Sequence, residues 1–115
     1  MRPRLTDGLD ETVERAAAAR VADRCSNPCC RALTSGPQND RRQSLNVGMA
    51  VHITAISPGG RRYDPVQSDR ERGDPDNAIW LCHNCVRLID NDVARHSAGL
   101  LRSWKTEAEA SLSCS

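Results

Sequence analysis

The chain contains no phenylalanine, one tyrosine and two tryptophans in 115 residues, and its hydrophobic content is 38%. A chain this short and this poor in aromatics builds a thin core, and thin cores need a staple such as a disulfide or a metal ion. No apolar run approaches the length of about 20 residues that a membrane-spanning helix requires. The opening residues 1–10 lack the apolar segment of a secretory signal. Net charge is also scarce: at +1, no global field announces a nucleic-acid partner. These absences lead to the expectation of a cytoplasmic protein with no membrane contact, in which thiols stay reduced.

Cysteine, by contrast, is plentiful, with six in the chain. Cys82 and Cys85 form a Cys-x2-Cys pair, and Cys25 pairs with either Cys29 or Cys30 across a Ser26-Asn27-Pro28 turn. Such spacings are metal clips, because a turn presents two thiolates to one tetrahedral ion and a second turn completes the set. In a reducing compartment, clustered cysteines favour zinc over disulfides. A thioredoxin-like redox role for Cys82-His83-Asn84-Cys85 would need a strand–helix–strand context that the flanking residues do not supply. Cys114, in the polar end of the chain, is the weakest ligand candidate.

Leu9, Val13, Ala16, Ala17, Arg20 and Val21 recur at helical spacing and predict a helix over 9–23. Residues 34–43 are polar and turn-rich and read as loop. From Leu45 to Ile56 the period becomes two. Val47, Met49, Val51 and Ile53 share one face of that strand; Gly48, Ala50, His52 and Thr54 share the other. His52 therefore projects from a face of small residues, with the open space that a reactive imidazole needs. Ser57-Pro58-Gly59-Gly60 ends the strand, and a polar stretch follows to Asn77, a length that marks a loop as functional or disordered. Residues 78–81 read as a second strand, 82–94 as a helix entered through the cysteine turn, and 97–110 as a last helix carrying Leu100, Leu101, Trp104 and Ala108. The expected class is α+β, with one domain over 1–115: an N-terminal helix in 1–24, a metal-clipped core in 25–94 and a C-terminal helix in 97–110.

Several segments in combination carry a resemblance. They are Cys25-Ser26-Asn27-Pro28-Cys29-Cys30, the run from Asn46 to Ile53 around Ala50-Val51-His52, Gly59-Gly60-Arg61-Arg62-Tyr63-Asp64, the run from Asn77 to Cys85, Leu88-Ile89-Asp90, and Leu100 to Lys105. Together they resemble the HNH endonuclease family over roughly residues 21–104, in the branch with an Ala-His-Ile-type first motif. The resemblance implies a ββα-metal module stapled by a structural zinc on Cys25, Cys30, Cys82 and Cys85. It implies His52 as general base, Asn77 as the residue orienting it, and Asp90 as a helix ligand for a catalytic Mg²⁺ or Mn²⁺. It also implies DNA as partner, and such modules are often appended to larger restriction or phage-defence proteins. Two positions depart from the pattern: Val51 stands where many members carry an acidic residue or histidine, and Val86 where another histidine usually follows the knuckle.

Cleaving a phosphodiester needs a base to deprotonate water and a cation to stabilise charge on the phosphate and the leaving oxygen. Imidazole suits the first role near neutral pH. The Gly59–Tyr63 turn follows the His52 strand and is expected to present Arg61 and Arg62, with Tyr63, to DNA phosphates, since guanidinium forks match phosphate oxygens. For this pair, as for Arg41-Arg42 and for Arg70 with Arg72, solvated loop arginines are the plainer alternative. His83 and Asp92 read as exposed, and His96, at a helix–helix junction, as a capping or surface residue. The rival to a nuclease is a degenerate module that binds nucleic acid or a protein without cutting.

Overall fold

Residues on one short strand alternate between two separate apolar clusters, and that alternation sets the architecture. In the computed structural model, which describes residues 11–112, strand β4 (Ala78–Cys82) is buried along its whole length. Ala78 and Trp80 join one cluster, with Ala17, Ala18, Val21, Ala50 and Ala108. Ile79 and Leu81 join the other, with Ile53, Ile89, Leu101, Trp104 and the cysteines 25, 82 and 85. A strand covered on both faces reads as a continuous apolar run rather than as polar–apolar alternation, and Ala78-Ile79-Trp80-Leu81 is such a run. Each of the fully buried isoleucines and leucines contributes about 1.5–3 kcal/mol over its exposed state.

The elements in chain order are α1 (Glu11–Ala19), β1 (Ser35–Pro37), β2 (Ser44–Asn46), β3 (Gly48–His52), α2 (Asp69–Arg72), β4, α3 (His83–Asn91) and α4 (Ala98–Ala110). Strand β3 pairs antiparallel with β4, with Ala50 opposite Trp80 and His52 opposite Ala78, and α3 follows β4 directly. This β3–β4–α3 arrangement, with four α-helices and two small antiparallel sheets among the described residues, is the α+β class expected. Ser97 caps α4 through its hydroxyl, which accepts from the Leu100 amide, at the position where the sequence places the start of that helix.

The fold departs from the sequence reading in three places. The first helix stops at Ala19 rather than running to 23, because Ala22 and Asp23 take left-handed backbone angles that turn the chain. That turn brings Arg24 into a bridge with Leu33, which closes the first cysteine loop. The polar stretch 34–43 is not all loop: Ser35–Pro37 pairs with Ser44–Asn46 as a hairpin. The single strand expected from Leu45 to Ile56 is accordingly broken at Val47, which is half-exposed while its amide donates to the Thr34 carbonyl. Strand β3 ends at His52. Within the long polar segment, Ser68 and Glu71 form a reciprocal capping box on α2.

Gly48 shows why a side chain is absent at the start of β3. A Cβ there would lie 2.6 Å from the Trp80 ring and 2.8 Å from Thr34. The Trp80 indole N–H donates to the Thr34 hydroxyl at 2.9 Å, and that hydroxyl donates to the Asp23 carbonyl at 2.6 Å. The small residues on this face of the sheet thus make room for α1 and Trp80 rather than leaving open ground. His52, at the strand end, belongs to neither apolar cluster.

Candidate functional site

Two knuckles converge at the entrance to α3. The first is the loop Cys25–Cys30, closed by the Arg24–Leu33 bridge and by the Cys25 amide donating to the Ala32 carbonyl. The second is Cys82–Cys85, where the chain leaves β4 and enters α3 with Cys82 at the N-cap. The sulfurs of Cys25, Cys30, Cys82 and Cys85 all lie within 4.8 Å of one another. A tetrahedral ion with sulfurs at 2.3 Å sets them about 3.8 Å apart, and Cys30 and Cys82 stand at 3.9 Å. The four cysteines can hold a metal ion and are compatible with structural zinc. Cys29 and Cys30 are both exposed, but only the Cys30 sulfur lies in the cluster, and Cys29, the alternative first-knuckle ligand, lies outside it; Cys114 lies outside the described residues.

The electrostatics of this cluster point the same way. Burial pushes the Cys25 thiol up, against the Cys82 and Asn27 backbone amides, which favour its thiolate. Burial likewise pushes the Cys85 thiol up, opposed by the Asn27 side chain. On Cys82 burial acts in the same direction, but the Cys85 amide and the neighbouring thiols outweigh it and hold the thiol below its usual value. Amide donors are already aimed at Cys25 and Cys85, the two sulfurs that burial keeps from ionising, and a bound cation would let their thiolates form.

The second site is an open cleft of about 360 Å³ beyond the end of β3. His52 and Val51 reach it from the strand, Gly60 and Arg61 from the following turn, and Asp90 from α3. His52 and Asp90, far apart in sequence, thus share one cleft. The Arg61 guanidinium lies 3.5 Å from the Asp90 carboxylate, with both side chains partly exposed. A larger cavity of about 470 Å³ is bounded by α1, β2 and Trp80. Its rim carries Glu11, Glu14 and Asp23, and it includes neither the cysteine cluster nor His52.

Asn77 is buried and its carboxamide is fully engaged. Oδ1 accepts from the Thr54 amide at 3.1 Å and from the Thr54 hydroxyl at 2.9 Å. Nδ2 donates to the carbonyls of Thr54 at 3.0 Å and Arg72 at 2.9 Å. The Asn77 carbonyl accepts from the Ile53 amide at 2.8 Å. Five hydrogen bonds therefore fix the two residues that follow His52 and the chain that leads into β4.

The arginines separate into two kinds. Arg61 is exposed at the cleft. Arg62 also lines the cleft, but from a left-handed backbone position its guanidinium is tied down, donating through Nε to the Ile53 carbonyl at 2.8 Å and through Nη1 to the His96 carbonyl at 3.2 Å. Burial pulls its pKa down, with Asp90 opposing that shift. Arg72, grouped in the sequence with Arg70 as a basic surface cluster, is buried. Its guanidinium donates to Asp69 and to the Asp64 carbonyl and stacks 4.7 Å from the centre of the Tyr63 ring. Tyr63 is thereby a partner of Arg72 within the loop.

His96 is likewise no surface residue: it is buried, its Nδ1 lies 2.8 Å from the Asp92 carbonyl, and its ring meets Trp104 edge-on. His83 and Asp92 are exposed, as read from sequence. No role follows for Asn27 or Thr54 from the sequence motifs, and Arg62 reads there as an exposed arginine. Asn27 sits inside a cysteine turn, where asparagine folds its side chain onto nearby amides, and that was the available signal. Among the described residues no helix is long and apolar enough to cross a membrane. Neither the models of known protein families nor the curated proteins include a match to this chain.

Proposed function

We propose that this protein is a metal-dependent DNA endonuclease of the HNH, ββα-metal type, stapled by zinc on Cys25, Cys30, Cys82 and Cys85. The observation that carries the reading is the shared cleft of His52 and Asp90 on a β3–β4–α3 unit whose base is the four-cysteine cluster. His52 is the base that takes a proton from the attacking water. Asn77 holds the backbone just after His52 and so fixes the angle of the imidazole. The catalytic cation fits the donor set present: Mg²⁺ commonly binds through one or two carboxylates, with water and substrate phosphate completing its shell. Asp90 would hold it, and when bound it would offset charge on the phosphate and the leaving oxygen. Arg61 sits at the mouth of the same cleft, placed for a phosphate oxygen. Appendage to a larger restriction or defence protein, and a cytoplasmic location, belong to this same proposal.

Plasmid nicking in Mg²⁺ or Mn²⁺, comparing wild type with His52→Ala, tests the reading. The variant is expected to lose about 100-fold or more of the rate while keeping its bound zinc. A chelator alone does not decide the matter, because it strips the cysteine cluster as well as the cleft. Equal cleavage by both proteins removes His52 from the base role.

A second reading has its own support. Val51 and Val86 occupy positions that carry metal ligands in many HNH proteins, and both pack against the apolar cluster. Asp90 already has Arg61 beside it. Duplex binding without nicking in any divalent metal identifies a module that has kept the fold and lost the cut.

A further inference from the structure

Asn27 reaches both knuckles of the cysteine cluster. It is 6% exposed. Its side-chain Oδ1 accepts from the Cys29 amide at 2.9 Å, and its carbonyl accepts from the Cys30 amide at 2.9 Å and the Arg31 amide at 3.1 Å. These bonds shape the first knuckle and carry Cys30 round to the second. Its backbone amide faces the Cys25 sulfur. Its Nδ2 crosses to the second knuckle and lies 3.4 Å from the Cys85 sulfur, within hydrogen-bonding reach for a sulfur acceptor. One residue therefore touches both halves of a cluster whose inner cysteines are 52 positions apart in sequence.

We propose that Asn27 is the positioning residue of the metal centre: its carboxamide shapes the first knuckle, and its Nδ2–H donates onto the Cys85 thiolate and sets how firmly the cluster retains its ion. The inference rests on reading the four cysteines as a metal site. A donor to a ligating thiolate draws off negative charge that four sulfurs around a divalent ion would otherwise concentrate. Outer hydrogen bonds of this kind are worth about 10- to 100-fold in metal affinity. The carboxamide suits the task because it supplies the acceptor for the Cys29 amide and the donor for the sulfur at once.

Asn27→Asp separates the two duties, since it keeps an acceptor for Cys29 and replaces the donor with an oxygen that repels the thiolate. Competition against a chromophoric chelator is expected to show metal affinity about 10- to 100-fold lower than wild type. At saturating metal the far-ultraviolet circular dichroism should be unchanged. In the cobalt-substituted protein the sulfur-to-metal charge-transfer band should move to lower energy, because the Cys85 thiolate has lost its donor. Wild-type affinity and an unmoved band in Asn27→Asp overturn the proposal. Should the variant fail to fold, the wild-type protein loaded with cadmium decides: nuclear magnetic resonance should show coupling from the metal to the Asn27 side-chain amide protons, and its absence overturns the proposal. A wild-type protein that binds no zinc, cobalt or cadmium overturns it differently, by removing the metal reading of the cysteines itself.

Discussion

Asn77 and Thr54 are joined by three hydrogen bonds: the Thr54 amide and hydroxyl both donate to Asn77 Oδ1, and Asn77 Nδ2 donates to the Thr54 carbonyl. Both residues are buried, at 3% and 1% exposure. Asn77→Ala leaves the Thr54 amide and the Thr54 and Arg72 carbonyls without these partners. Unsatisfied buried groups cost about 1–3 kcal/mol each, so urea unfolding of the metal-loaded variant should show a loss of about 3 kcal/mol or more. Any loss of nicking in this variant has to be measured well below its melting temperature, where positioning of His52 is separated from unfolding.

The two neighbouring cysteines should behave differently. Cys30→Ser removes a sulfur from the cluster, whereas Cys29→Ser removes an exposed one outside it. Elemental analysis is expected to find one equivalent of zinc in wild type and Cys29→Ser, and clearly less in Cys30→Ser. Equal zinc in both variants would reassign the first knuckle.

Arg61 and Arg62 are adjacent in sequence and differ in setting: Arg61 is exposed beside Asp90, and Arg62 is bonded to the Ile53 and His96 carbonyls. Arg61→Ala should weaken duplex binding about equally across sequences and lower the salt slope by about 1, as measured by fluorescence anisotropy. Arg62→Ala should leave that slope alone. It removes donors from the Ile53 and His96 carbonyls and should cost about 1–3 kcal/mol of stability. A salt slope unchanged in Arg61→Ala makes Arg61 an ordinary surface charge.

Acid sensitivity has an identifiable contributor at the end of α4. The Arg20 guanidinium, donating to Glu109 at 2.8 Å, is the largest cause that holds the Glu109 carboxyl down at about 2, below its ordinary 4.5; Lys105 adds to it. The folded value lies below the unfolded one. The stabilisation is therefore fully present above pH 4.5 and lost as pH falls toward 2. Because the thiolates also take up protons in acid, the carboxyl itself is the observable. In the folded protein its chemical-shift titration should lie below the ordinary carboxylate range in wild type and move up toward it in Arg20→Ala.

What could be read from the sequence was whatever depends on spacing and period. The Cys-x2-Cys turn, the strand–helix junction at Cys82, and the apolar run from Ala78 to Leu81 are local patterns, and the structure has all three. The β1–β2 hairpin escaped because Ser35-Gly36-Pro37 carries none of the β-branched or aromatic residues that mark a strand. Arg62 and Arg72 escaped for a different reason. An arginine that bonds inward is legible only from the carbonyls and carboxylates that surround it, and those come from Ile53, His96, Asp64 and Asp69. His96 likewise looked like a surface residue until Trp104 folded against it. The face of His52 followed from period two, but the reason its neighbours are small lay in α1 and Trp80, outside the strand.

The partition of the interior by β3 and β4 has an optical consequence. The chain has two tryptophans; Trp80 lies in the alanine-rich cluster under α1 and Trp104 in the cluster shared with Cys25, Cys82 and Cys85. Each side of the sheet therefore owns one intrinsic fluorophore. With Trp104→Phe reporting one side and Trp80→Phe the other, emission can show whether the two halves melt as one cooperative unit. The same pair can show whether withdrawing an ion from the cysteines dims Trp104 before it disturbs Trp80.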